Sequence, residues 1–151
     1  WSILTIASVL ALAYVMNFSG QTIAMGTFLA GLGTVYAFLA PALGWIGTAV
    51  TGSDTSANAL FSKLQVSAAE NLQHAGIHGA TPELMLAANT TGGVVGKMIS
   101  PQSLAIAATS VDMEGKESDI LKAVLPWSFA MLLFVCVLVF LQTNVLSFMI
   151  P

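Results

Sequence analysis

Charge is the scarcest property of this sequence. Only 7% of its 151 residues are charged, whereas soluble domains carry about 25%. All eleven charged residues lie between Asp54 and Lys122, and the flanking segments carry none. A soluble fold of this size needs more polar groups to meet water, and disorder needs low hydrophobicity with high net charge. The lack of charge therefore excludes both classes and predicts that a bilayer surrounds most of the chain.

Cysteine and basic residues are also few. The one cysteine, Cys136, cannot form an internal disulfide, and its apolar surroundings indicate a small core or lipid-facing residue. Four lysines and no arginine leave a net charge of −3, which provides no basic surface for nucleic acid. The sequence starts at Trp1 inside an apolar stretch without the basic leader of a signal peptide. We expect a piece of a longer polytopic protein.

Three apolar stretches have roughly the length of a transmembrane helix. Crossing about 30 Å of hydrocarbon takes about 20 helical residues, and the predicted spans cover about 1–17, 22–40 and 126–150. Trp127 is placed in the third span like an interfacial anchor. Between the spans, residues 112–122 include six charged side chains among eleven residues, which predicts an aqueous polar loop.

A shorter apolar stretch, from Pro41 to Val50, is long enough for only about half a bilayer as a helix. It ends at a Thr-Gly-Ser-Asp sequence, in which Ser53 or Asp54 can cap a second helix that continues toward Glu70. Two helices that meet at such a tip are typical of a re-entrant hairpin, which we predict over about 41–70.

A discontinuous helix is predicted over about 82–111. Thr81-Pro82-Glu83 is a strong helix start, and Ser100-Pro101 starts another helix by the same cap-plus-proline rule. Between them, the sequence from Asn89 to Gly93 (NTTGG) is expected to unwind the backbone. Irregular backbone at membrane depth is tolerated where it is buried in protein or lines a wet cavity. The expected fold is an all-α polytopic membrane protein with a re-entrant helical hairpin and a discontinuous transmembrane helix.

Asp54 and Lys97 are the charged residues at the two predicted breaks. Acids within a membrane are costly and commonly functional, so Asp54 is a candidate proton carrier or cation ligand, and the alternative is a plain helix cap. Lys97 could attract an anionic substrate or neutralise Asp54, and the alternative is a lysine that extends to an interface.

Other polar patterns indicate no separate activity. The sequence from Gly92 to Lys97 is one residue too short for a phosphate-binding loop, and Gly92 with Gly96 forms a helix-packing G-x-x-x-G pattern. His74 and His78 lie in a glycine-rich connection, and two ligands alone do not make a zinc site. No nucleophile-elbow sequence supports an intramembrane serine protease.

Two longer motifs resemble signatures of the bacterial L-lactate permease family. They are the sequence from Thr51 to Phe61 (TGSDTSANALF) and the sequence from Ala87 to Ser103 (AANTTGGVVGKMISPQS). The segments 115–119 and 149–151 also fit the C-terminal end of that family. Ser53-Asp54-Thr55 is similar to the Ser-Asn-Thr hairpin tip of a wider ion-transporter superfamily, with an acid in place of the amide.

The resemblance implies the C-terminal transport portion of a permease in the bacterial inner membrane, without enzyme activity and without a cofactor. It implies proton-coupled symport of L-lactate, D-lactate and glycolate. The implied partners are these monocarboxylates, protons, the lipid bilayer and the N-terminal half of the same permease, and a homodimer is an open arrangement. The alternatives are a sodium-coupled organic anion transporter and a non-transporting membrane module.

The candidate residues lie at or beside the two predicted breaks. Asp54 is assigned to proton coupling, with Glu83 as the next candidate, because removal from water favours the neutral form of a carboxyl group. Hydroxyls, amides, glycine N–H groups and one ammonium group are assigned to substrate binding: Ser53, Thr55, Asn58, Asn89, Thr90, Thr91, Gly92, Gly93, Lys97 and Ser100. The two breaks are expected to approach each other, since one small anion must contact both.

Overall fold

The computed structural model describes residues 2–149, in which all regular structure is helical and no strand occurs. Seven α-helices follow in order, and a short 3₁₀ turn ends the described chain: α1 (Ser2–Phe18), α2 (Gln21–Ala30), α3 (Thr34–Thr51), α4 (Asp54–His74), α5 (Pro82–Lys97), α6 (Pro101–Ser110), α7 (Glu117–Asn144) and the turn Ser147–Met149. The predicted all-α class is confirmed. Trp1, Ile150 and Pro151, at the limits of predicted segments, lie outside the described residues.

The helices differ in their capacity to cross a bilayer. Within the described region, α3 and α7 are each long and apolar enough to cross, and α1 reaches this standard only together with α2, to which it is bent by 71°. Large apolar side chains on the outside of these helices, such as Phe18, Val50 and Phe134, are mostly exposed. This surface suits contact with lipid better than contact with water.

Two of the predicted spans begin or end at other residues in the structure. A single helix over 22–40 is wrong, because α2 ends at Ala30 and α3 begins only at Thr34. Gly33, with φ of +61°, permits the turn between them, since this conformation is unfavourable for residues with a side chain. The third span begins early, at Glu117, so the second half of the predicted polar loop 112–122 is the start of α7.

The helix starts follow the capping signals of the sequence. Ser53, Thr81 and Ser100 each accept a hydrogen bond from the backbone N–H three residues later, at 3.2–3.3 Å. Proline occupies the first turn of both α5 and α6, where its missing N–H costs nothing. The predicted break between α3 and α4 at Gly52-Ser53 is present. The helix before the break is longer than predicted, since α3 begins at Thr34 and continues through Pro41. The re-entrant hairpin over about 41–70 stays a prediction.

The predicted unwinding at Thr91-Gly92-Gly93 is wrong. The helix α5 is continuous from Pro82 to Lys97, and the interruption comes later, at residues 98–100. Glycine lowers helix propensity by only about 1 kcal/mol relative to alanine, and packing against a neighbouring helix can offset that cost. Two helices therefore occupy 82–111, with the break about six residues beyond the predicted position, and their combination as one transmembrane helix stays a prediction.

Glycines hold α3 and α5 together at close range. A side chain at Gly92 would overlap the carbonyl of Pro41, and one at Gly96 would overlap the carbonyl of Trp45. From the other side, a side chain at Gly44 would overlap the carbonyl of Asn89. The G-x-x-x-G pattern of α5 thus serves helix packing, and α3 with α5 forms the most extensive helix pair of the described chain.

The apolar core lies where α3, α4 and α5 meet. Its largest buried members are Tyr36, Leu64, Leu72 and Met85. The helix α7 joins it through Val139, and through a hydrogen bond of 2.9 Å from the Trp45 indole to Ser128, whose hydroxyl also bonds the carbonyl of Val95. Of the two alternatives for Cys136, core or lipid-facing, the structure shows the core position, since Cys136 is buried beside Val95.

The α3–α5 contact generates a stability prediction. We expect Gly92→Ala to lower the free energy of unfolding by about 1–3 kcal/mol, because the added methyl group must push two backbones apart. Val94→Ala, on the exposed side of the same helix (61% exposed), is the matched control and should have a smaller effect. Thermal unfolding of the purified full-length protein measures both, and equal losses would contradict the packing role of Gly92.

Candidate functional site

The break between α3 and α4 places a carboxyl group at a helix start inside the bundle. Gly52 ends α3 in a left-handed conformation with φ of +71°, and its N–H donates to the carbonyl of Thr48 at 2.8 Å. Ser53 caps α4, so Asp54 is the first residue of the helix and its side chain is free for other contacts. The local sequence thereby turns the carboxylate toward α3 and α5.

The two oxygens of Asp54 have different surroundings. Oδ2 accepts a hydrogen bond from Nδ2 of Asn58 at 3.1 Å. Oδ1 is buried and has no hydrogen-bond partner among the described residues, and the same holds for Oγ1 of Thr48. Oδ1 of Asp54 and Oγ1 of Thr48 both lie against Gly93. A side chain at Gly93 would overlap Oδ1 and come within 2.8 Å of the threonine hydroxyl. Gly93 is therefore required for space, and its amide lies inside a continuous helix.

A row of hydrogen-bonded side chains extends from Asp54 into the core. Asn58 accepts from Nδ2 of Asn89 at 2.7 Å and from the hydroxyl of Thr90 at 3.2 Å. Oδ1 of Asn89 accepts from Nε2 of Gln65 at 3.2 Å, and Oε1 of Gln65 accepts from the hydroxyl of Tyr36. Tyr36, Gln65 and Asn89 are fully buried. Buried polar groups need hydrogen-bond partners, and in this row each side chain is the partner of its neighbour.

Lys97 joins the two interrupted elements. Its Nζ donates to the carbonyl of Gly52, at the end of α3, so the end of α5 is fastened to the first break. A side chain at Gly52 would also contact Gln102 of α6, at 3.2 Å from Oε1. The break after α3 and the break after α5 therefore lie together. Lys97 makes no ion pair with Asp54 within 4 Å, since the described residues contain a single ion pair, Lys122–Asp119.

The structure brings together only part of the predicted set. Asp54, Asn58, Asn89, Thr90 and Gly93 form one cluster, which we call the carboxylate cluster.

Three predicted substrate residues lie apart from this cluster. The hydroxyl of Thr91 bonds the carbonyl of Ala87 in its own helix, on an exposed face. Gly92 packs against α3. Ser100 caps α6, and its hydroxyl contacts the hydroxyl of Ser103 and the carbonyl of Lys97. The glycine N–H groups belong to an unbroken helix, in which each is directed at the carbonyl four residues earlier. They are therefore not free to bind an anion.

A cavity of about 180 Å³ lies on the other side of α4, toward α1. Its polar wall is formed by the hydroxyls at the start of α4, and its apolar wall by side chains of α1 and one alanine. The lining residues are Ser53, Thr55, Ser56, Val9, Leu10 and Ala59. The side chain of Ser56 is about nine-tenths buried, with 9% exposure. Ser53 and Thr55, both predicted substrate residues, thus face this cavity and are separated from the carboxylate cluster by the helix.

The remaining candidates lie elsewhere. Glu83 is an exposed residue in the first turn of α5, and His74 and His78 are exposed around the turn that follows α4. Across residues 2–149 no three His, Cys, Asp or Glu side chains are grouped for a metal ion.

Sequence reasoning did not identify Gln65, Tyr36 or Thr48. A signal for Gln65 exists, because Asp54, Asn58 and Gln65 follow one another at i, i+4 and i+11 and so share one helix face. Tyr36 and Thr48 stand among apolar residues of α3 without such a pattern. Their position beside α4 depends on how the helices pack.

Interrupted helices with buried polar side chains at the break define a helical membrane protein with a polar centre. A profile of the L-lactate permease family matches residues 1–146. The chain therefore belongs to the L-lactate permease family, which confirms the resemblance seen in its motifs.

Individual relatives agree with this assignment. The chain is 50% identical over 149 residues to an L-lactate permease of Bacillus subtilis, which covers 99% of this chain and 25% of that protein. It is 46% identical to an L-lactate permease of Escherichia coli and 41% identical to its glycolate permease, in both cases over 99% of this chain and 26% of the relative. The chain thus spans about a quarter of the length of these relatives. No solved structure matches it.

The contact between Gly93 and Asp54 generates a second prediction. We expect Gly93→Ala to displace the carboxylate and break its bond to Asn58, which lowers stability. In an Asp54→Ala background the same change should cost less, because the oxygen that the methyl group would meet is gone. The difference, a coupling of about 0.5–3 kcal/mol, is measured by a double-mutant cycle of unfolding. Additive effects would show that the two residues do not touch.

Proposed function

We propose that this chain forms part of the transport path of a proton-coupled symporter for L-lactate, D-lactate and glycolate in the bacterial inner membrane. Membership of a permease family supports transport, and relatives named for L-lactate and for glycolate support small 2-hydroxy monocarboxylates as the substrate class. The observation that carries the coupling is the half-satisfied carboxylate of Asp54 at an interrupted helix. Because a carboxyl group within a membrane is energetically costly, its presence there indicates a function.

The cavity beside α4 suits the proposed substrate in chemistry and size. A 2-hydroxy monocarboxylate carries an anion, a hydroxyl and at most a small apolar group. The positive end of the α4 helix dipole favours an anion, although the N–H of Ser56 already donates to Ser53, and Ser53, Thr55 and Ser56 line the cavity with hydroxyls. Val9, Leu10 and Ala59 provide the apolar wall for the methyl group of lactate.

Asp54 lies on the opposite face of the same helical turn. While it is ionised, its charge opposes the approach of a carboxylate to the cavity, since like charges repel through a medium of low dielectric. Protonation removes that charge, so the proton and the anion favour each other's binding. This reciprocity is what symport requires, and it uses no direct contact between the two ligands.

Lys97 has a positioning role in this proposal. Its ammonium group holds the carbonyl of Gly52, which fixes the end of α3 relative to α5. Its charge near the breaks also favours the entry of an anion. Thr90, Asn58 and Asn89 are assigned to the carboxylate cluster, and substrate contact falls to Ser53, Thr55 and Ser56.

The coupling role is tested with Asp54→Asn in the full-length permease, reconstituted in proteoliposomes. We expect the variant to lose lactate accumulation driven by a pH difference, because the amide cannot take up a proton. Exchange of labelled lactate between equal pools should persist, since exchange needs no net proton movement. If the variant still concentrates lactate, Asp54 is only part of the helix start. Accumulation by the wild type that follows a sodium gradient would identify sodium as the coupling ion.

The cavity is tested by filling it. We expect Ala59→Leu to raise the KM for lactate uptake at least about tenfold, which corresponds to a loss of about 1.4 kcal/mol of binding, because the larger side chain occupies the apolar wall. Ala105→Leu makes the same change on the exposed surface of α6 and should leave KM unchanged. Equal KM values in both variants would place the substrate elsewhere.

A further inference from the structure

The hydrogen-bond row that ends at Asp54 runs in a single direction, and its direction is set by one backbone group. Nε2 of Gln65 donates to the carbonyl of Ala40 at 3.0 Å. A carbonyl can only accept, so the amide nitrogen of Gln65 must face it. Oε1 then faces Tyr36, whose hydroxyl donates to it. The orientation of the Gln65 amide is thus fixed by α3, outside the row itself.

Each following amide inherits that orientation. The second hydrogen of the Gln65 amide is directed at Asn89, so Asn89 must present its oxygen, at 3.2 Å. Asn89 therefore turns its nitrogen to Asn58, which must present its oxygen in turn, at 2.7 Å. Asn58 is left with its nitrogen toward Oδ2 of Asp54, at 3.1 Å. The hydroxyl of Thr90 donates to the same oxygen, but a hydroxyl can also accept, so it adapts to the orientation of Asn58 and does not fix it.

The row therefore distinguishes the two oxygens of the carboxylate. Oδ2 always meets a donor, and a proton on Oδ2 would be directed at an N–H group. Oδ1 has no partner among the described residues and lies with the unpartnered hydroxyl of Thr48 against Gly93. We propose that Gln65 is a positioning residue that directs the coupling proton to Oδ1 of Asp54. The inference rests on the proposed function, since it assigns an atom to the proton that drives symport.

The protonation step is then simple. A proton from the aqueous phase adds to Oδ1, which lies with Oγ1 of Thr48 against Gly93. Oδ2 becomes the carbonyl oxygen of the neutral carboxyl group and keeps the hydrogen bond from Asn58. No other bond is made or broken, and Lys97, the ionisable side chain of α5 at this break, keeps its bond to Gly52.

Infrared difference spectroscopy on the full-length permease in lipid tests this assignment. The carbonyl band of a protonated carboxyl group lies at lower wavenumber when the carbonyl oxygen accepts a hydrogen bond. The band of Asp54 is identified as the one that appears on acidification and is absent in Asp54→Asn. We expect Gln65→Leu to shift this band to higher wavenumber, because Asn89 and Asn58 are then free to rotate and Oδ2 loses its fixed donor.

Three further variants keep the test decisive. Gln73→Leu, also on α4 but outside the row, should leave the band in place. Gln65→Met has nearly the length of glutamine and cannot hydrogen-bond to the carbonyl of Ala40, so the same shift is expected should Gln65→Leu fail to fold. Tyr36→Phe should leave the band unmoved, because the carbonyl of Ala40 still orients Gln65.

The inference is overturned if the band stays in place in a folded Gln65 variant, or if Tyr36→Phe moves it as far as Gln65→Leu does. It is also overturned if Asp54→Asn removes no band. Lactate accumulation by the wild type is measured separately. Its absence, together with the expected band shift, would reject the proposed function and leave the positioning role of Gln65 in place.

Discussion

The close approach of α3 and α5 is the constraint on which the rest of the structure depends. Glycines at 44, 92 and 96 allow backbone of one helix to touch backbone of the other. At that distance Gly93 of α5 lies against Thr48 and Asp54, and Asn89, beside Gly44, reaches Gln65 and Asn58 of α4. A wider spacing would separate Asn89 from Gln65 and Asn58, and would move Lys97 away from Gly52. The packing of small residues, which adds few polar groups of its own, therefore determines the polar centre.

The polar centre also shows why an interrupted helix is useful inside a membrane protein. A continuous α3–α4 helix would direct every backbone group at its own neighbours, and no carboxylate could stand at a helix start within the bundle. The break at Gly52-Ser53 places the hydroxyls at the start of α4 beside the cavity and turns Asp54 toward Asn58 and α5. In the proposed function, the anion site and the proton site therefore share one helical turn without contact.

The misplaced break in α5 has an instructive cause. Two adjacent glycines after two threonines are typical of irregular backbone, and only the G-x-x-x-G pattern of Gly92 and Gly96 favours a helix there. In the structure the missing side chains at Gly92 and Gly93 make room for Pro41 and Asp54, which lie far away in the sequence. The interruption after Lys97, where α5 ends, was signalled instead by Ser100-Pro101, and that start of α6 was predicted correctly.

The sequence by itself determined the membrane class, the helix starts at Ser53, Thr81 and Ser100, the family, and the importance of the two motif regions. These depend on composition and on contacts within one turn of helix, which any reader of the chain can evaluate. Only the tertiary structure decided which motif residues meet, because spacing along a helix does not tell which neighbour it faces. In the structure Asn58 bonds Asn89, and Thr91 and Ser100 lie outside the carboxylate cluster. Gln65 and Tyr36 are connected to the cluster by hydrogen bonds. The physical reason is that a buried amide must find its partners across helices, and the backbone carbonyl of Ala40, which the residue type does not influence, fixes their direction.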